Sequence, residues 1–117
     1  PACGQGVIAV ECRRADRVLV DKLSQINHLE TSRASFVERK VVDILGGHCQ
    51  MPLAVYAQYQ EGRLWVRACL GYADGSELIQ ASCYLHGEGM DQEIATLESM
   101  CQDLLDRGGA EVLHAYN

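Results

Sequence analysis

LAVYAQYQEGRLWVRACLGYADGSELIQASCYL, residues 53–85, is the stretch that decides the fold. It holds three runs rich in aliphatic and aromatic residues: Leu53 to Tyr59, Leu64 to Tyr72 and Leu78 to Leu85. Between them stand the turn-formers Gln60-Glu61-Gly62 and Ala73-Asp74-Gly75-Ser76. Short apolar runs punctuated this way predict consecutive antiparallel strands joined by hairpins. In the second run Leu64, Val66, Ala68 and Leu70 alternate with Trp65, Arg67 and Cys69. Side chains on a strand point to opposite faces in turn, so one face is expected to be covered and the other partly wet.

Helical periodicity flanks this block. Upstream, a helix is expected from about Glu30 to Leu45, with Ala34, Val37, Val41, Ile44 and Leu45 on one face and Thr31, Ser32, Arg33, Glu38, Arg39 and Asp43 on the other. Gly46-Gly47 is its stop, because glycine accepts the left-handed conformation past a helix end. Further upstream, Asp16 can cap a helix whose stripe is Leu19, Leu23 and Ile26, widened by Val18 and Val20, with a break at Asn27-His28. Downstream, a helix is expected from about Asp91 to Arg107 on the stripe Ile94, Leu97, Cys101, Leu104 and Leu105. Gly108-Gly109 interrupts it, and Ala110 to Tyr116 forms a last short helix. The order predicts an α+β fold, a small three-stranded antiparallel sheet with helices packed on one face. Val7 to Val10 reads as a further strand, an orphan with nothing here to pair with.

The chain has 117 residues and is 48% hydrophobic, which suits one folded domain. With 10 basic against 16 acidic residues its net charge is −6, a poor basis for gripping a phosphate backbone. No apolar run approaches the roughly 20 residues of a membrane span, and nothing at the start resembles a signal peptide. A cytoplasmic protein without membrane or nucleic-acid partners is expected. The sequence opens at Pro1 without an initiator methionine, which suggests a fragment or a processed product.

Six cysteines are present, without a CxxC pair, so neither a structural zinc site nor a disulfide framework is expected. Cys12, Cys69, Cys83 and Cys101 sit in apolar-patterned segments and read as small hydrophobes. Cys3 and Cys49 lie outside such patterns. Cys49 stands between a helix stop and a strand, in Leu45-Gly46-Gly47-His48-Cys49-Gln50-Met51-Pro52-Leu53. A thiol there is expected to be exposed and geometrically unconstrained, better suited to covalent attachment than to packing. A His48–Cys49 nucleophile–base pair is disfavoured, since adjacent side chains rarely meet and no third orienting group is evident. His28, His86 and His114 read as surface or satisfied polar residues.

Two segments resemble one family. Pro1-Ala2-Cys3-Gly4-Gln5-Gly6-Val7-Ile8-Ala9-Val10-Glu11-Cys12-Arg13 is similar to the PAVGQGALGIECR segment of hydroxymethylbilane synthases, also called porphobilinogen deaminases. Gly46-Gly47-His48-Cys49-Gln50-Met51-Pro52-Leu53 is similar to their EGGCQVPI loop. Asn27-His28-Leu29-Glu30-Thr31, Glu38-Arg39 and Asp74-Gly75-Ser76 match further positions in order. His48, Met51 and Cys3 depart from the usual residues. The resemblance implies the last of three domains, residues 15–117, with a helix–three strands–helix layout like that of double-stranded RNA-binding domains. Residues 1–14 would be the connection from the other two.

The resemblance also implies an activity: joining four porphobilinogens into hydroxymethylbilane with loss of ammonia, in tetrapyrrole and heme biosynthesis. It implies a dipyrromethane cofactor held by a thioether to Cys49. The family's catalytic aspartate and carboxylate-binding arginines lie in its first two domains. No arginine cluster is evident in this acidic sequence, so no catalytic residue is expected here and this portion alone is expected to be inactive. Its expected partners are those two domains and, for the whole enzyme, porphobilinogen. The alternative is a non-catalytic α+β binding or self-associating module without cofactor. An RNA-binding version is disfavoured because Met90-Asp91-Gln92-Glu93 opens the last long helix where lysines would be needed. A self-associating version would pair Val7 to Val10 with a second copy.

Overall fold

The computed structural model describes residues 2–46 and 51–116. Strands β1 (Leu53–Gln60), β2 (Arg63–Gly71) and β3 (Leu78–Leu85) form one antiparallel sheet in the order β1-β2-β3. Val55 faces Ala68, which faces Ala81. The β1–β2 loop is Glu61-Gly62, with φ of 54° and 80°. Two consecutive positive φ values match the right-handed twist of the flanking strands, and Gly62 takes up one of them without cost. In the β2–β3 turn, Asp74 Oδ1 accepts the Ser76 N–H at 2.9 Å.

The alternation sorts the sheet as expected. Val55, Ala57, Leu64, Val66, Ala68, Leu70, Ala81 and Leu85 are buried on the inner face. Three helices cover that face: α2 (Leu29–Ile44) through Val37 and Val41, α3 (Met90–Leu104) through Leu97, Met100, Cys101 and Leu104, and α4 (Ala110–Ala115) through Val112 and Leu113. Each such leucine contributes about 1.5–3 kcal/mol of transfer free energy. An ion pair from Arg33 to Glu93 ties α2 to α3.

The glycine pair stops the helix where expected: backbone angles stay helical through Arg107 and leave the helical region at Gly108. The kink is at Gly108, with φ 118°, and α4 starts just beyond it. At Gly109 an added Cβ would stand 2.6 Å from the Leu104 carbonyl oxygen and 3.0 Å from Leu70 Cδ1. Only glycine lets α4 fold back this closely onto β2.

Two sequence expectations are corrected. Val7 to Val10 forms no strand and pairs with no other strand of the described residues, with Ile8 92% exposed. The neighbouring sheet edge is already engaged, because buried Glu38 accepts the Ala57 N–H of β1 at 3.0 Å and the Gly4 N–H at 2.8 Å. The carboxylate thus blunts the edge and clamps the N-terminal turn, and the strand needed for dimer pairing is not formed. Second, α1 (Arg17–Ser24) is capped by Asp16 as expected, but none of its residues is buried. Its stripe faces outward, with Val18 67% and Ile26 just beyond it 72% exposed. As expected, α2 begins just after the break at Asn27-His28: it starts at Leu29 with His28 as its N-cap, Nδ1 accepting the Thr31 N–H at 3.2 Å. Histidine is not among the usual capping residues, so its sequence position alone did not point to this role.

Candidate functional site

The junction between α2 and β1 is anchored on both sides. Leu45 is buried, and Gly46 takes φ 69° with its N–H on the Asp43 carbonyl at 3.1 Å. The chain is again in the core at Met51, and the Pro52 carbonyl accepts the Gly71 N–H at 3.3 Å. Gly47, His48, Cys49 and Gln50 lie outside the described residues, and with them the attachment assigned to Cys49. The last turn of α2 carries Asp43 and no basic residue. The negative end of that helix therefore has no compensating cation of its own, and its field opposes formation of a thiolate nearby.

The other cysteines are free thiols of a different kind. Cys3, Cys12, Cys69 and Cys83 are half-buried and Cys101 is buried. Burial pushes the Cys83 thiol from its ordinary 9.0 to about 11. Burial, with smaller contributions from Cys83 and Glu98, does the same to Cys101. Cys3 is also raised, first by burial and then by the Glu38 charge. These three are poor nucleophiles near neutral pH. The unfolded chain ionises Cys83 and Cys101 near 9 and the folded chain near 11, so between those values the unfolded state binds fewer protons. Stability therefore falls as pH rises through that window. Urea midpoints at pH 8 and 10.5 should show the decrease, and Cys83→Ala with Cys101→Ala together should flatten it.

Two surfaces stand out. On the side of α1 a depression of about 800 Å³ is walled by Ile8, Val10, Val20, Leu23, Ile26 and Phe36. Ile8, Val10, Ile26 and Phe36 are more than half exposed, an unusual concentration of apolar surface.

The second is the outer face of the sheet. There Arg67 lies 4.3 Å from the Trp65 ring centroid and 5.5 Å from that of Tyr56. Trp65 stacks on Tyr84 at 6.2 Å, and Arg63 lies 4.2 Å over Tyr84. Arg107 reaches the same face, bonding Asp103 at 3.1 Å and the Gln80 carbonyl. Arg67 and Arg107 line one depression on this face, with Arg63 further along β2. The usable signal was the two-residue period of β2, which puts Arg63, Trp65 and Arg67 on one face.

The family model for the porphobilinogen deaminase C-terminal domain matches residues 33–104. That span runs from the first turns of α2 through the sheet to the end of α3, more than half of the chain. The chain belongs to this family. A porphobilinogen deaminase of Blochmanniella pennsylvanica (strain BPEN) is 45% identical over 80 residues, 68% of this chain and 27% of that protein. The chain thus matches well under half the length of that relative. As a porphobilinogen deaminase C-terminal domain, it has the α+β fold built around an open three-stranded sheet, with helices on one face. Among the described residues no helix is long and apolar enough to cross a membrane.

Proposed function

We propose that the protein carrying this chain is the transferase that joins four porphobilinogens into hydroxymethylbilane, in tetrapyrrole and heme biosynthesis in the cytoplasm. In this reading Cys49 holds its dipyrromethane primer. The observation that carries the reading is the family match across residues 33–104, which spans the Gly46-Gly47-His48-Cys49-Gln50 loop sequence. The chemistry of the residue fits the group. A thiol sulfur is a strong nucleophile for the carbon left electrophilic as ammonia departs from a porphobilinogen. Its proton leaves with the amine, and the resulting thioether resists hydrolysis. When bound, dipyrromethane supplies the pyrrole carbon on which the chain is extended.

The rest of the assignment follows from what this chain lacks and what it exposes. Cys3, Cys83 and Cys101 are shielded thiols with raised pKa, which favours Cys49 over them as the attachment point. The apolar wall formed by residues 7–10, α1 and Phe36 suits the packing of two further domains, with residues 1–14 as the connection to them. The cations that would promote the thiolate, and the catalytic aspartate, are assigned to those domains. The chain alone is therefore inactive. Incubated with porphobilinogen, the purified 117-residue chain should yield no hydroxymethylbilane, while the full-length protein turns over. Product from the chain alone would contradict the division of labour.

A further inference from the structure

The outer face of the sheet carries arginines in an unusual state. Arg67 and Arg63 are held by aromatic rings, yet among the described residues neither makes a hydrogen bond or ion pair. The chain has six more acidic than basic residues, so two arginines left without a carboxylate are notable. Arg67 is exposed, and its cross-strand partner on β3 is Ser82, a neutral residue. Ring contacts fix a guanidinium plane while leaving its N–H edge open, and that edge matches a carboxylate in two parallel bonds. Around Arg67 lies a depression of about 760 Å³ whose walls include Ala54, Tyr56, Trp65, Gln80 and Ser82. Its size falls within the range of small-molecule sites. Arg107 closes one side, already committed to Asp103 and the Gln80 carbonyl.

We propose that this face binds a small aromatic carboxylate, with the carboxylate on Arg67 and the ring against Tyr56 and Trp65. Charge complementarity selects the anion: the face presents unpaired positive charge on an otherwise acidic molecule. The aromatic walls select a ring over a bare ion, and the neutral Ser82 hydroxyl and Gln80 amide offer further hydrogen bonds. The proposal is independent of Cys49.

Trp65 is the sole tryptophan, so its fluorescence reports this face alone. The test titrates the 117-residue chain with benzene-1,3,5-tricarboxylate and, in parallel, with inorganic phosphate, by calorimetry and Trp65 emission. Saturable binding of the tricarboxylate is expected, tighter than phosphate and weakened by salt. Arg67→Ala should weaken it roughly 10- to 100-fold, the usual effect of losing charge-assisted bonds. Ser82→Glu supplies a carboxylate opposite Arg67 within the sheet and should abolish binding without harming the fold, as circular dichroism would show. Arg17→Ala, on α1, should change nothing. Equal affinity for phosphate, binding indifferent to Arg67→Ala and Ser82→Glu, or no saturation by 10 mM ligand (on the order of the weakest useful affinity) would each overturn the proposal. So would self-association of the ligand-free chain that Ser82→Glu abolishes, since the acidic surface of a second copy would then be the occupant.

Discussion

Cys49→Ser in the full-length protein is expected to reduce hydroxymethylbilane formation by about a thousandfold or more, the scale seen when a covalent nucleophile is removed. The hydroxyl of serine occupies nearly the same space but is far less nucleophilic than a thiol and titrates far above neutral pH. The loss should fall on turnover, because the porphobilinogen-holding groups assigned to the other domains are untouched. The folded stability of the variant should match the parent, since the substitution lies between two residues buried in the core, Leu45 and Met51. Cys83→Ala and Cys101→Ala serve as the contrast. Both thiols have a pKa raised by burial, and each substitution should leave activity largely intact while costing some stability. Equal loss of activity from all three would mean that folding, not attachment, had been removed.

The second large effect is structural. Leu70→Ala should destabilise the chain by about 2–5 kcal/mol, the range for emptying a packed core position. Leu70 is fully buried, stands opposite Leu53 and Ile79 in the sheet, and its Cδ1 would lie 3.0 Å from a Cβ on Gly109. Deleting it opens a cavity under α4, where Gly109 packs against Leu70. Ile8→Ala in the same chain should change stability by less than about 0.5 kcal/mol, since Ile8 is 92% exposed here. Urea unfolding of both variants checks the pair.

The sheet and the helices that pack on it were legible because each carries its own signal. The alternation of Leu64, Val66, Ala68 and Leu70 fixed the inner face, and Glu61-Gly62 and Asp74-Gly75 fixed the turns. The stripe of α1 was legible as a helix but not as an exposed one. Periodicity shows that a face is apolar and cannot show whether its cover belongs to the same chain. Val7 to Val10 misled for a related reason: a β-rich run forms a strand only where an edge offers free backbone groups, and Glu38 has engaged the Ala57 N–H. Glu38 itself read as an outward residue of α2 and is 6% exposed. The arginine ladder was hidden by composition, because net charge averages over the chain while a β-strand gathers every second residue. For the proposed attachment site, the sequence offers the Gly-Gly-His-Cys-Gln run and its resemblance to the family, and the residue itself lies outside the described ones. The structure contributes the anchors on either side and the chemical contrast with the shielded cysteines.

The most direct test of the account is the mass of the peptide that contains Cys49, from full-length protein purified without denaturing reductants. The account predicts this peptide to be heavier by one dipyrromethane, with the label lost in Cys49→Ser and absent from the peptides containing Cys3, Cys12, Cys69, Cys83 and Cys101. An unmodified Cys49 peptide from enzyme that turns over porphobilinogen, or the cofactor on another cysteine, would contradict it.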